Sequence, residues 1–111
     1  VFTAKGWEHA WGESSAAIAV PGWPGGPWAH GPQGFVQVLP SLYGEALREA
    51  RDFLRPGPES TVLDLCSGAG ISVGGWLESG ARAIAVELGG ESVELLKRNL
   101  AERSGWEVFR G

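Results

Sequence analysis

The stretch that most constrains the fold is a short apolar run that ends in a glycine-rich turn. Residues 61–65 form the run, and Ser-Gly-Ala-Gly follows at 67–70. A short run with β-branched members predicts a buried parallel strand. The glycines predict a tight turn, and we expect a helix at about 72–78 after it. A strand, a turn and a helix in this order begin a β-α-β unit, so the sequence predicts an α/β fold.

The flanking segments extend this pattern. Apolar residues recur at helical spacing from Leu39 to Leu54, with Pro40 as a start signal. Downstream we predict a strand at 83–86, a helix at 92–103 with Gly105 as its C-cap, and a strand at 106–110. Strands joined by helices imply right-handed crossovers in a parallel sheet. Three such strands would be the first half of a Rossmann-like, doubly wound sheet, which predicts that the chain is a fragment.

The N-terminal region has a different composition. Residues 1–40 hold five of the seven prolines, seven of the 18 glycines and four of the six tryptophans. Because proline and glycine oppose regular structure, we predict an irregular or hairpin-like extension at 1–34, ahead of a cofactor-binding domain at 35–111. Extended pieces are expected at 16–20 and 35–39. The tryptophans are interpreted as packing anchors, with a base-stacking or partner surface as the alternative.

Charge gives weak evidence about partners. The net charge is −4, and no run of Lys or Arg forms a phosphate-binding patch. An acidic module can still belong to a nucleic-acid enzyme whose basic surface lies elsewhere. Arg48, Arg51 and Arg55 fall on one face of the first predicted helix, where interleaved acidic residues indicate a solvated surface.

Cysteine and histidine usage excludes some classes of site. The single cysteine, Cys66, rules out an intrachain disulfide and a Cys-rich metal site, and it fits a reducing, cytoplasmic location. His9 and His30 have no partners at metal-ligand spacing, so we predict solvated or locally bonded histidines and no metal. No stretch approaches the roughly 20 apolar residues of a membrane span.

Four residues define a candidate site at the carboxyl ends of the first two predicted strands. Asp64, Gly68 and Gly70 follow the first strand, and Glu87 ends the second. Ligands of open α/β sheets bind at this edge, and the glycines allow the backbone to approach a ligand. A carboxylate at Glu87 can accept hydrogen bonds from both hydroxyls of a ribose. The sequence therefore predicts a ribose-bearing cofactor.

The same residues favour S-adenosyl-L-methionine over NAD. A dinucleotide fingerprint requires a third glycine where this chain has Val73. Asp64 would repel a pyrophosphate but suits the ammonium group of S-adenosyl-L-methionine, which has no phosphates. Each feature also has a purely structural explanation, since Asp64 could cap the turn and Glu87 could be a solvated strand end. Their joint occurrence in a strand–helix–strand frame favours the cofactor.

Two blocks of the chain carry a family resemblance. The first is Gly34-Phe-Val-Gln-Val-Leu-Pro40, and the second, beyond a helix, is Val62-Leu-Asp-Leu-Cys-Ser-Gly-Ala-Gly70. Together they resemble the RNA uracil-C5 methyltransferases that modify tRNA and 23S rRNA. Members of that family have Phe-x-Gln-Val-Asn-Pro in the first block and Leu-Asp-Leu-Tyr-Cys-Gly-x-Gly in the second. Ala85-Val-Glu87 and the predicted helix that ends at Asn99 are also similar to the corresponding segments of this family. The second block is generic to class I methyltransferases, and Phe35-x-Gln37 carries the family-specific part.

The resemblance implies an S-adenosyl-L-methionine-dependent methyltransferase with a class I core, acting on C5 of uridine in tRNA or rRNA. RNA would be bound by regions outside this chain. By position, Gln37 would contact the cofactor, Glu87 its ribose, and Cys66 would line the adenosine pocket. The loop formed by Asp64, Gly68 and Gly70 would surround the amino-acid end. The chain departs from the family pattern at Leu39, Cys66 and Ser67, where the family has Asn, an aromatic residue and Cys.

The family mechanism uses a cysteine thiolate that adds to C6 of uracil and a base that removes the C5 proton. In the family both lie beyond the third strand, so no catalytic residue is expected within this chain. Cys66 is interpreted as a small pocket or core residue. Two alternatives stay open: a methyltransferase that acts on protein or a small molecule, and a non-catalytic Rossmann-like binding module.

Overall fold

The computed structural model describes residues 1–8 and 10–111, so His9 lies outside the described residues. In chain order the elements are β1 (Phe2–Thr3), β2 (Gly6–Trp7), β3 (Ala16–Ile18), β4 (Trp28–His30), α1 (Pro40–Leu54), β5 (Thr61–Leu65), α2 (Ile71–Glu78), β6 (Arg82–Glu87), α3 (Gly90–Asn99) and β7 (Trp106–Arg110). Within the described residues, none of the helices has the length and apolar character needed to cross a membrane.

A three-stranded parallel sheet organises the second half of the chain. Its order is β5-β6-β7, with Leu63 opposite Ile84 and Ile84 opposite Glu107. The helices α2 and α3 connect consecutive strands, and they cover the face on which Ala83 and Ala85 are buried. This arrangement confirms the predicted α/β fold. It also brings the carboxyl ends of β5 and β6 together at one edge.

The opposite face of the sheet is open. Leu63 and Leu65 are 59% and 64% exposed, and Phe109 of β7 is 55% exposed. The strand at 61–65 was predicted to be buried, and this prediction is wrong for the side chains on this face. Right-handed crossovers between strands in consecutive order place both connecting helices on the same side, which explains the asymmetry.

The N-terminal segment forms two short antiparallel hairpins, β1–β2 and β3–β4. In the second, Ala16 lies opposite His30 and Ile18 opposite Trp28. The extended piece expected at 35–39 is not a strand, and the partner of β3 is β4. Trp28 of β4 is 1% exposed and lies in the core, which anchors this hairpin on the main domain.

Two buried tryptophans tie this segment to α2. Trp23 donates a hydrogen bond from Nε1 to the carbonyl of Ile71 at 2.8 Å. A methyl group at Gly75 would overlap the ring of Trp23, and one at Gly74 would overlap the ring of Trp28. These glycines therefore allow the rings to lie directly on the helix. Both rings are enclosed in the core, as the packing interpretation requires, and neither offers a face for stacking on a base. Trp11 is 91% exposed, so the packing interpretation is wrong for this tryptophan.

Two arginines of α1 bind the N-terminal segment, contrary to the predicted solvated face. Arg48 donates to the carbonyl of Pro21 at 3.1 Å, and the guanidinium of Arg51 lies 5.6 Å from the ring centroid of Trp23. A cation over an indole face is a stabilising arrangement. Arg55 has a different role, since it is the left-handed C-cap of α1 with φ 47°.

The helix α3 is shorter than predicted at its C-terminus. It ends at Asn99 with Leu100 as the C-cap, and Gly105 lies beyond a turn, with φ +83°. The side chain of Trp106 supplies the reason, because its Nε1 donates to the carbonyls of Leu100 and Arg103 at 3.2 and 3.1 Å. An indole thus satisfies carbonyls that a longer helix would bond internally.

Candidate functional site

The first candidate residue, Asp64, lies near the carboxyl end of β5 and is half-buried. Trp76 of α2 donates from Nε1 to Asp64 Oδ2 at 2.7 Å. This bond orients the carboxylate and leaves Oδ1 without a hydrogen bond from the described residues. A carboxylate with one fixed and one free oxygen is suited to bind a cationic group.

The loop after β5 has an unusual backbone. Cys66, Gly68 and Gly70 all have positive φ, at 59°, 55° and 88°. For a residue with a Cβ this conformation costs about 1–2 kcal/mol, and such residues concentrate at functional sites. Cys66 is exposed, so its interpretation as a core residue is wrong, and a position in the wall of an open pocket remains a prediction.

The two glycines of the loop face different surroundings. Among the described residues nothing lies within 4 Å of a Cβ built at Gly68, so this position is open to a ligand. A Cβ at Gly70 would be 3.0 Å from Leu96 Cγ, because Gly70 packs against α3. Gly68 therefore borders the candidate site, whereas Gly70 supports the loop from behind.

Glu87 lies at the end of β6 and bridges two loops. Gly68 N donates to Oε2 at 2.8 Å, and Gly89 N donates to Oε1 at 2.7 Å. Each carboxylate oxygen can accept a further hydrogen bond. The carboxylate thus holds the glycine loop against β6, and its remaining lone pairs can meet the hydroxyls of a ligand.

A residue that the sequence analysis left without a role, Asn99, supports the same loop. Its Nδ2 donates to the carbonyls of Ala69 and Ala29, each at 2.9 Å, and its Oδ1 accepts from Ala29 N at 2.9 Å. One carboxamide therefore joins β4, α3 and the glycine loop. The sequence places Asn99 at the end of a predicted helix, but this position alone does not show what the Asn99 side chain binds.

Replacing Asn99 with leucine is expected to lower the free energy of unfolding by about 2 kcal/mol, since three partly buried backbone groups lose a partner. Urea unfolding followed by tryptophan fluorescence measures the change. Lys97→Leu is the matched control on α3, because Lys97 is exposed and its ion pair with Glu94 lies at the surface. Equal effects of the two substitutions would contradict the bridging role of Asn99.

Gln37 lies in a groove of about 330 Å³ between the segment before α1 and the first turns of that helix. Tyr43 lines the same groove, and both Asp64 of β5 and Ser72 of α2 affect the ionisation of its phenol. Burial first, and then the charge of Asp64, raise the pKa of Tyr43, against a smaller opposing effect of the Ser72 side chain. Tyr43 therefore stays a neutral phenol at neutral pH.

A larger cavity of about 750 Å³ lies elsewhere, between the N-terminal hairpins and Glu91. None of the six predicted site residues lines it. The candidate site lies instead at the edge of the sheet formed by the carboxyl ends of β5 and β6, where Gly68 N donates to Glu87 and Asp64 adjoins the same loop. We place the candidate site at this edge, because ligands of open parallel sheets bind at the carboxyl ends of the strands.

Comparison with solved structures identifies the fold. A proposed RNA methyltransferase from Pyrococcus horikoshii is 31% identical over 68% of this chain and 38% of its own, with a TM-score of 0.58. The tRNA (uracil-54, C5)-methyltransferase of Pyrococcus abyssi, solved with S-adenosyl-L-homocysteine, is 18% identical over 89% of this chain and 24% of its own, with a TM-score of 0.69. The chain has a class I methyltransferase fold.

The methyltransferase fold extends beyond RNA enzymes. The C-terminal domain of precorrin-6Y C5,15-methyltransferase from Rhodobacter capsulatus is 22% identical over 83% of this chain and 48% of its own, with a TM-score of 0.64. The chain spans between about a quarter and a half of these three structures. No family model and no curated protein sequence matches the chain.

Proposed function

We propose that this protein binds S-adenosyl-L-methionine at the carboxyl ends of β5 and β6 and forms the methyl-donor part of a methyltransferase. The observation that carries the proposal is the contact between Glu87 and the glycine loop, with Gly68 open on its other side. The fold supports it, as does the S-adenosyl-L-homocysteine bound to the Pyrococcus abyssi enzyme, which shares that fold.

The chemistry of the donor set fits this cofactor. Asp64 Oδ1 is available for the ammonium group, and the lone pairs of Glu87 that Gly68 and Gly89 leave free can accept from ribose hydroxyls. The bound cofactor supplies an electrophilic methyl group. The protein's part is to orient the cofactor between these two carboxylates. We assign no nucleophile or base to this chain, and we propose that Cys66 lies beside the adenosine of the bound cofactor.

Calorimetric titration tests the proposed cofactor. We expect S-adenosyl-L-homocysteine to bind with one site per chain and NAD⁺ to show no heat of binding, because Asp64 at the end of β5 disfavours a pyrophosphate. Binding of NAD⁺ without binding of S-adenosyl-L-homocysteine would refute the proposal.

We further propose RNA as the substrate, with C5 of uridine as the methyl acceptor and RNA bound by regions outside residues 1–111. Phe35-x-Gln37 ahead of α1 supports this choice, and the shared fold of the tRNA enzyme is consistent with it. Residues 1–34 would serve as a structural extension of the donor-binding domain at 35–111, since Val20, Trp23 and Trp28 join its core.

The acceptor can be identified by methylating a uridine-containing RNA transcript with the full protein and methyl-labelled cofactor. Digestion to nucleosides should yield labelled 5-methyluridine. Label in a different nucleoside, or in protein or a small molecule with none in RNA, would exclude the uracil-C5 assignment and leave the donor site intact.

A further inference from the structure

A turn ahead of α1 is held against the start of α3 by one side chain. Glu91, in the first turn of α3, is half-buried, and its Oε2 accepts a hydrogen bond from Gln33 N at 2.8 Å. Gly31 is buried at the same contact, and a methyl group on it would overlap the Glu91 carboxylate. Gly34 N donates to the carbonyl of Gly31 at 3.4 Å, which closes the turn. The carboxylate therefore holds residues 31–34 on α3.

This turn lies beside the loop that carries Glu87. The side chain of Ser92 is buried, and its Oγ lies 3.4 Å from a Cβ built at Gly34 and 3.3 Å from one built at Gly89. Gly89 N in turn donates to Glu87 Oε1 at 2.7 Å. A single buried side chain thus separates the turn from the loop after β6, so the turn borders the carboxyl end of that strand.

The segment that follows the turn depends on its ends for its position. Among the described residues no hydrogen bond involves 35–38, and Phe35 and Val38 are 79% and 87% exposed. At its far end the segment enters α1. Three residues span at most about 11 Å, so the position of Gly34 limits how far Gln37 can lie from the loop after β6.

We infer that Glu91 is a positioning residue for Gln37. By holding the turn at 31–34, its carboxylate keeps the segment 35–38 beside the carboxyl end of β6, where the Gln37 side chain reaches a methyl donor bound at Glu87. Without this contact the segment occupies other positions for part of the time, and the apparent affinity falls with the fraction in place. The inference rests on the proposed function and adds a residue that acts on the cofactor through Gln37.

Three substitutions test this role through the dissociation constant of S-adenosyl-L-homocysteine, measured by calorimetry. Glu91→Ala removes the acceptor for Gln33 N, and we expect binding about 5- to 10-fold weaker. Gly31→Ala should weaken binding to a similar extent, because its methyl group displaces the turn from the carboxylate. Glu91→Gln keeps an amide oxygen that can accept the same bond, so it should recover most of the affinity that Glu91→Ala loses.

The control on α3 is Glu94→Ala. Glu94 is exposed, and its ion pair with Lys97 lies at the surface, so removing this carboxylate should leave the affinity unchanged. Thermal unfolding followed by circular dichroism checks that each variant remains folded. Gly31→Ala provides the readout if Glu91→Ala does not fold.

A double-mutant cycle separates positioning from a general structural effect. Gln37→Ala should weaken binding by itself, and in that background Glu91→Ala should weaken it further by less than about 2-fold, because the contact that Glu91 positions is already lost. Equal weakening by Glu91→Ala in both backgrounds, or no weakening by Gln37→Ala, would overturn the inference while the donor site stands. If the unmodified protein does not bind S-adenosyl-L-homocysteine, the proposed function is wrong and the inference with it.

Discussion

Replacing Glu87 with glutamine should weaken binding of S-adenosyl-L-homocysteine by about 10- to 100-fold. The carboxylate accepts from Gly68 N and Gly89 N and, in the proposed complex, from the ribose hydroxyls. A glutamine amide offers one acceptor and turns a donor toward the remaining N–H group. Hydrogen bonds to a charged group contribute about 1.5–3 kcal/mol, which corresponds to the expected range of affinity. Calorimetric titration measures the change.

The control for this substitution is Glu107→Gln in β7. Glu107 pairs with Arg82 at 3.1 Å on the surface, where an ion pair contributes little. We expect unchanged affinity for this variant. If Glu87→Gln also retains full affinity while remaining folded, Glu87 does not bind the ribose and the proposed site is wrong at its most constrained residue.

Replacing Trp28 with alanine should lower the free energy of unfolding by about 3–5 kcal/mol, the range typical of a large aromatic residue deleted from a core. Trp28 is 1% exposed and packs directly on Gly74 of α2. Its loss would leave a cavity between the N-terminal segment and the helix that follows the glycine loop. Urea unfolding monitored by circular dichroism gives the difference in free energy.

The matched control is Trp11→Ala, since Trp11 is 91% exposed. A surface substitution of this kind is expected to change the free energy of unfolding by less than about 0.5 kcal/mol. If the two tryptophan variants unfold at the same urea concentration, the N-terminal segment does not share the core with the sheet. That result would contradict the packing of β4 on α2.

The sequence predicted the elements whose patterns are local. The parallel sheet, the helix at Pro40–Leu54 and the strand at Trp106–Arg110 all follow from apolar spacing and from proline or glycine at their ends. The same reasoning placed Asp64 and Glu87 at neighbouring strand ends. Their positions are fixed by the order of strands and helices, which a single sequence reveals well.

Features that depend on long-range contacts were missed. Trp28 of β4 is buried in the core that the sheet and α2 share, and the indole of Trp106 bonds to carbonyls just beyond the end of α3. The contacts of Arg48 and Arg51 with the N-terminal segment likewise join residues more than 25 positions apart. Periodicity along one element carries no information about such partners.

The residues of the candidate site also divide into those predicted from a local motif and those that depend on contacts between elements. Gly68 and Glu87 were predicted from the motif, and the structure brings them into direct hydrogen-bonding contact. Asn99 was absent from the predicted set, because it resembles an ordinary helix residue until its partners on other elements are known. Residues that complete a site from a neighbouring helix have no signature of their own in the sequence.

Amide chemical-shift mapping with S-adenosyl-L-homocysteine tests the central claim most directly. If the cofactor binds at the carboxyl ends of β5 and β6, the largest shifts in the ¹H–¹⁵N spectrum will fall on Gly68, Ala69 and Gly89. If they fall instead on residues 13–16 and 31–33, around the cavity of about 750 Å³, while 68–70 stay unchanged, the site is in the wrong place and the account is contradicted.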